Sequence, residues 1–149
     1  MTTPGDRHCW AAPFEMDGEF GGVGPDPTTG HVFPGPSRKG AAMMQAVNDR
    51  MNTTIAIVAT DAPLTKTQCH RLAVTAHDGI ARAIVPAHTP HDGDLVFGVA
   101  SGDETGVTRE TMRDIGAAAA VCLSRAICRG VYEAAASDGD IMPIYRDMI

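Results

Sequence analysis

Two short runs in the chain are apolar at every position, and two longer runs are apolar on one side only. The short runs are Ile55-Ala56-Ile57-Val58-Ala59 and Leu95-Val96-Phe97-Gly98-Val99-Ala100. A strand with one wet face alternates apolar and polar residues, whereas a strand covered on both faces reads as these do. Each is followed by a helical pattern. Thr65 and Gln68 have the spacing of a capping box, in which a hydroxyl and an amide satisfy the unpaired N–H groups of a first turn. Beyond them Cys69, Leu72, Ala73, Ala76, Ile80, Ala83 and Ile84 fall on one helical face, and Pro86 is expected to stop that helix. Thr108 is placed to cap a longer helix whose apolar face runs through Met112, Ile115, Ala119, Cys122, Leu123, Ala126, Ile127 and Val131. The tail "IMPIYRDMI" is apolar and expected to be extended.

Residues 1–50 lack this order. They hold most of the prolines, as in "GPDPTTGHVFPGPSRKG", and no period lasts more than a few residues. A short extended piece is expected around Trp10–Phe14, and a short helix over "GAAMMQAVNDR" from Gly40 to Arg50. The chain therefore divides into a loop-rich arm, residues 1–52, and an α/β portion, residues 53–149. Two strands cannot hide both faces of Ile55–Ala59. Either the arm adds strands that its sequence does not announce, or another chain supplies the cover.

Composition narrows the function classes. The 149 residues suffice for one domain with a real core. The net charge is −6 and no Lys/Arg cluster occurs, so neither nucleic acid nor an anionic membrane is an expected partner. "MTTPGDRHCW" has no apolar signal-peptide core, and no uninterrupted apolar run reaches membrane-spanning length. Cys9, Cys69, Cys122 and Cys128 form no CxxC and no paired zinc motif. They read as buried thiols in a reducing, cytoplasmic setting.

The triplet Asn52-Thr53-Thr54 abuts the first strand. It fits the N-x-[ST] glycosylation pattern, which has little meaning without a secretory signal. It fits an ordinary strand start. It also fits a self-cleaving N-terminal nucleophile, in which the Thr53 hydroxyl attacks the Asn52 carbonyl and gains a free α-amine beside itself. Such an amine titrates near pH 8 and can act as a general base. Asp92-Gly93-Asp94 precedes the second strand and reads either as a turn or as a carboxylate pair suited to hold an amine. His77, His88 and His91 lie near that turn, but their spacing fits no standard zinc pattern and His77 is mid-helix. "GEFGGVG" fails as a dinucleotide loop because Pro27 stands where the spacing from Gly22 needs glycine.

Together, "NTTIAIVATDAPLTKTQCHRLAVTAHDGIARAIVPAHTPHDGDLVF", "GAAAAVCLSRAI" and "PIYRDM" closely resemble the C-terminal part of the DmpA-type L-aminopeptidase/D-esterase family, which includes β-aminopeptidases and nylon-oligomer endohydrolases. "CWAAPFEMDGEFGG" resembles the stretch before the cleavage site in some members. The resemblance implies an αββα sandwich of N-terminal-nucleophile type, of which this chain carries only the C-terminal portion. It implies self-cleavage between Asn52 and Thr53, with Thr53 as nucleophile and Asp92 and Asp94 as orienting and proton-handling groups. It implies small peptide, amino-acid amide, ester or amide-oligomer substrates, no cofactor, no catalytic metal and a homo-oligomer.

One departure matters. Family precursors are about twice as long, and their N-terminal half supplies sheet strands, an assisting lysine and an oxyanion-stabilising asparagine. The only lysines here, Lys39 and Lys66, lie in segments that do not match the family lysine. A missing N-terminal half or companion subunit is therefore expected. Two other readings remain open: a catalytically incomplete member acting as a partner-dependent subunit or binding module, and a metal-binding domain using His88, His91 and Asp92. A smaller departure is Leu95, where many relatives have Thr.

Overall fold

The computed structural model describes residues 8–24, 53–90, 92–140 and 143–149. Its order is β1 (Ile55–Thr60), α1 (Lys66–Ala81), β2 (Leu95–Ala100) and α2 (Arg109–Glu133), with 3₁₀ turns at Ala12–Phe14 and Tyr145–Met148. β1 and β2 pair in parallel, Ile55 opposite Leu95 and Thr60 opposite Ala100. A parallel pair needs a crossover, and α1 supplies it. The fold is thus mixed α/β, with helices against one face of a two-stranded sheet. The helix predicted over Gly40–Arg50 lies outside the described residues.

The caps form as the sequence indicates. Thr65 Oγ1 accepts from the Gln68 amide, and Gln68 Oε1 accepts from the Thr65 amide. Gln68 also donates to the Val107 carbonyl, tying this cap to the loop before α2. Thr108 caps α2 by accepting from the Thr111 amide. α1 ends at Ala81, earlier than Pro86, because the turn at Arg82–Ile84 closes back on the Asp78 and Ile80 carbonyls. Two other expectations are corrected. Ala12–Phe14 is a 3₁₀ turn rather than an extended piece, with Pro13 presetting its backbone angle. The tail likewise curls into a 3₁₀ turn at Tyr145–Met148.

The core joins Val58 and Val96 from the sheet to Leu64, to Leu72, Ala76 and Ile80 of α1, and to Leu123 of α2. Glycines set the spacing of its layers. A Cβ at Gly98 would collide with the Cys69 carbonyl, and one at Gly79 with the Ala120 carbonyl. α1 therefore lies close to both the sheet and α2, which a larger residue at either position would prevent.

The opposite sheet face is bare among the described residues. Ile55 is 69% exposed, Ile57 67%, Phe97 50% and Val99 48%. The runs read as strands covered on both faces are covered here on one. An apolar cleft of about 320 Å³ runs beside β1, between Ile57–Thr60 and the Ile115, Ala119, Cys122 and Ala126 positions of α2. α2 is also long and apolar enough, by length and composition, to cross a membrane. Asp114 and Arg125 bound its alanine-rich centre, so no unbroken apolar run announces it in the sequence. In the fold a third of that stretch is buried: Leu123 and Cys128 join the two apolar clusters, and Ala120 lies buried against Gly79.

The arm docks on α2. Ala11, Phe20 and Cys128 form a second buried cluster with Cys9, Phe14, Ala83 and Tyr132 around it. The Arg82 guanidinium lies 5.3 Å over the Phe14 ring. Cys9 and Cys128 form a disulfide, which corrects the reading of all four cysteines as thiols; local spacing holds no trace of a pair 119 residues apart. Cys69 is a half-buried thiol, whereas Cys122 is exposed on α2 rather than buried.

Beside the disulfide, Arg125 Nε donates to Glu19 Oε1. This hydrogen bond holds the Glu19 carboxyl below its usual range. A depressed carboxyl pKa stabilises the docked arm fully above the ordinary value of about 4.3, and the contribution is lost as pH falls through the lower folded value. In disulfide-reduced protein concentrated enough to keep the arm docked, emission from Trp10, the single tryptophan, should therefore change in a step below about pH 4. Glu19→Gln should abolish that step; an unchanged step in the variant would assign it to another group.

Candidate active site

The candidate residues meet where the two parallel strands begin. Because Ile55 pairs with Leu95, the residues just before them, Thr54 and Asp94, also face each other. The Leu95 amide donates to the Thr54 carbonyl at 2.9 Å, extending the ladder. The Thr54 amide donates to Asp94 Oδ1 at 3.1 Å. A carboxylate thus takes up the amide next to Thr53, where the strand pairing runs out.

Thr53 itself is exposed and lies beside Gly93. A Cβ at position 93 would sit 2.8 Å from Thr53 Oγ1. Any side chain there would push against the hydroxyl, so the glycine of Asp92-Gly93-Asp94 leaves room at that oxygen. Asn52, the residue predicted to precede the cut, lies outside the described residues, as does His91.

The two aspartates do different work. Asp94 has a side chain only 8% exposed, and its second oxygen receives His88 Nδ1 at 3.0 Å. Both carboxylate oxygens are thereby held. His88 adopts a positive φ of 56°, an uncommon backbone state for a residue with a side chain. Its Nε2 lies 3.5 Å from the His77 carbonyl, and the two imidazole rings are 5.2 Å apart. Asp92 instead closes its own turn: Oδ2 accepts from the Thr89 amide at 2.7 Å, and its amide donates to the Thr89 carbonyl at 2.9 Å. The structure therefore brings Thr53, Gly93 and Asp94 together and directs the Asp92 carboxylate to the loop.

The sequence gives His88 no place beside Asp94. In sequence it stands with His77, His91 and Asp92 as a candidate metal ligand; His91 lies outside the described residues, among which no group of three potential ligands gathers. A histidine six residues before the second aspartate was a signal for an Asp–His pair, but only the folded loop reveals that the intervening chain doubles back. The apolar cleft beside β1 is a separate feature, since Thr53, Asp92 and Asp94 do not line it.

The arrangement offers an accessible hydroxyl at the start of a strand, an unobstructed approach past a glycine, and a carboxylate fixed on the adjacent amide. Comparison with known proteins agrees with a peptidase context. Peptidase family S58 matches residues 28–141. An uncharacterized aminopeptidase of Mycobacterium tuberculosis is 46% identical over 114 residues, covering 69% of this chain and 33% of the relative. One from Mycobacterium bovis matches to the same degree. One from Mycobacterium leprae is 40% identical over 124 residues, covering 73% of this chain and 33% of the relative. The chain spans about a third of the length of these curated relatives.

Proposed function

Because the chain belongs to peptidase family S58, the DmpA-type aminopeptidase family, we propose that it is the nucleophile-bearing part of a self-processing amidohydrolase. The observation that carries the reading is the Thr53 hydroxyl beside Gly93, with Asp94 on the next amide. In open α/β sheets, ligands usually gather at the carboxyl ends of parallel strands. A residue that works through its own α-amine has reason to lie at a strand's beginning, as Thr53 does.

Maturation is an acyl shift. Thr53 Oγ1 attacks the Asn52 carbonyl carbon, the Asn52–Thr53 amide bond breaks, and the acyl group passes to oxygen as an ester. Water then hydrolyses the ester, leaving a carboxylate on Asn52 and an amine and a hydroxyl on Thr53. In turnover that amine takes the Oγ1 proton as the oxygen attacks a substrate carbonyl, then delivers it to the departing amine. Water completes the cycle by releasing the acyl group. Asp94 orients the start of the strand, His88 locks Asp94, and Asp92 shapes the turn that presents Gly93. Small peptides, amino-acid amides or esters and amide oligomers are the proposed substrates, with neither a cofactor nor a metal required.

Intact-mass measurement tests maturation directly. Disulfide-reduced protein should resolve into residues 1–52 and 53–149. Folded material that stays one unbroken chain under these conditions, with the missing half or companion supplied, would overturn the proposal. His88→Ala should slow amide hydrolysis by about ten- to a hundredfold, the effect of letting a positioned group drift. His88→Asn, which can still donate to Asp94, should recover part of that loss; equal loss in both variants would deny His88 its positioning role.

The bare sheet face favours a second element of the reading, partner dependence. Apolar strands exposed on one face need cover. We assign that cover to the sequence by which the relatives exceed this chain, present either as a missing N-terminal half or as a companion subunit. It would complete an αββα sandwich and provide the lysine and oxyanion donors that the family uses. An oxyanion donor alone is commonly worth about 3 kcal/mol of barrier. The completed unit is proposed to repeat as a homo-oligomer in the cytoplasm. Steady amide hydrolysis by the purified chain with no companion would exclude this dependence.

A further inference from the structure

The proposed cut falls between two cysteines that the fold joins. Cys9 precedes Asn52–Thr53 and Cys128 follows it, on α2, with their Cα atoms 6.2 Å apart in a disulfide. This separation is ordinary for a cystine. The chain has four cysteines, and Cys69 and Cys122 are unbridged. Once the backbone is cut, Cys9–Cys128 is therefore the single covalent link between residues 1–52 and residues 53–149. We infer that this bond is a redox-set clasp that decides whether the arm stays attached to the nucleophile-bearing portion after self-cleavage; the inference rests on the cleavage reading above.

The surroundings suit a clasp. Cys128 is 2% exposed and packs in one cluster with Ala11 and Phe20 of the arm. One helical turn earlier, Arg125 holds Glu19. Gly21 lies against Tyr132 and Ile149, close enough that a Cβ there would have to displace them. These contacts hold the arm against α2 on either side of the sulfurs. They also involve few arm residues. In the uncut chain the arm is tethered and docks intramolecularly. After the cut, docking becomes bimolecular and loses its effective concentration. The disulfide restores that tether.

The chemistry balances with a small-molecule disulfide as oxidant. The thiolate of one cysteine attacks the oxidant and expels one thiol. The second cysteine displaces the other, forming Cys9–Cys128. The pair loses two electrons and two protons, and the oxidant is reduced to two thiols. Excess dithiol reverses the exchange. In a reducing compartment the cut pieces are held by packing alone; under oxidation they are one covalent unit.

The test is intact-mass analysis of the folded, full-length chain incubated with oxidised glutathione or with dithiothreitol, followed by size-exclusion chromatography at low concentration. Apart from any glutathione taken up by the exposed Cys122, the oxidised sample should give one covalent species, one water heavier and two hydrogens lighter than the uncut reduced chain, eluting as a unit. The dithiothreitol sample should give the masses of residues 1–52 and 53–149, with the arm lost on dilution. Two masses without reductant would overturn the clasp and leave self-cleavage standing. One uncut mass in both samples, with the missing half or companion supplied, would overturn the cleavage reading and the clasp with it. Peptide mapping would then still show whether Cys9 and Cys128 are bridged. Cys9→Ser should shed its arm even under oxidation; retention of the arm at equal dilution would also overturn the clasp.

Discussion

Replacing Thr53 with alanine should leave one continuous chain and reduce amide hydrolysis by at least about a thousandfold, as loss of a nucleophile commonly does. Both consequences come from one oxygen atom. On the proposed mechanism, without Oγ1 nothing would attack the Asn52 carbonyl and the α-amine would not be released; without the amine and the hydroxyl there would be neither base nor nucleophile. Little in the fold opposes the substitution, because Thr53 is exposed and precedes β1. Thr53→Ser keeps oxygen and amine and should keep both activities. The pair of variants separates chemistry from packing. Intact mass and hydrolysis of an amino-acid amide, measured with any required companion present, read the two effects independently. An alanine variant still cut between Asn52 and Thr53 would end the case for Thr53 as the self-cleaving residue.

Gly79→Val should destabilise the fold by about 3 kcal/mol, the upper part of the range for overpacking a tight contact. The added Cβ would meet the Ala120 carbonyl, a backbone atom that cannot rotate aside, and would stand 3.0 Å from Leu123 Cβ. α1 cannot retreat easily, because the Cys69 carbonyl on its sheet-facing side already closes on Gly98. The helices must spread, which opens the contacts of Leu72, Ala76 and Ile80 with Leu123. Gly130→Ala is the matched control. Gly130 is on α2 with open space at its Cβ, so alanine there should stabilise by about 0.5–1 kcal/mol through helix propensity alone. Urea midpoints of the two variants should move in opposite directions. Equal midpoints for Gly79→Val and the unsubstituted chain would show that the helix crossing is not tightly packed.

These two predictions draw on different parts of the chain, and they differ in how much the sequence announces. Thr53 and the Asp92-Gly93-Asp94 turn were legible because each abuts a strongly apolar run, and polar residues at a strand start stand out. His88 was not, because its pairing with Asp94 depends on how the loop from Arg82 to Gly93 doubles back. Asp92 and Asp94 looked equivalent in sequence. Their separation follows from register, which puts Asp94 opposite Thr54 and leaves Asp92 to accept from Thr89.

By itself the sequence determined the order strand, helix, strand, helix, since apolar periodicity and capping hydroxyls act within one or two turns of the chain. It also determined that β1 and β2 each carry two apolar faces. Only the tertiary structure decided which face is buried, which oxygen of Asp94 meets which donor, and that Cys9 reaches Cys128. Those outcomes depend on the close passage of α1 between Gly98 and Ala120 and on the docking of an arm far away in sequence. Residues distant along the chain share no local period, so their meeting is set by packing.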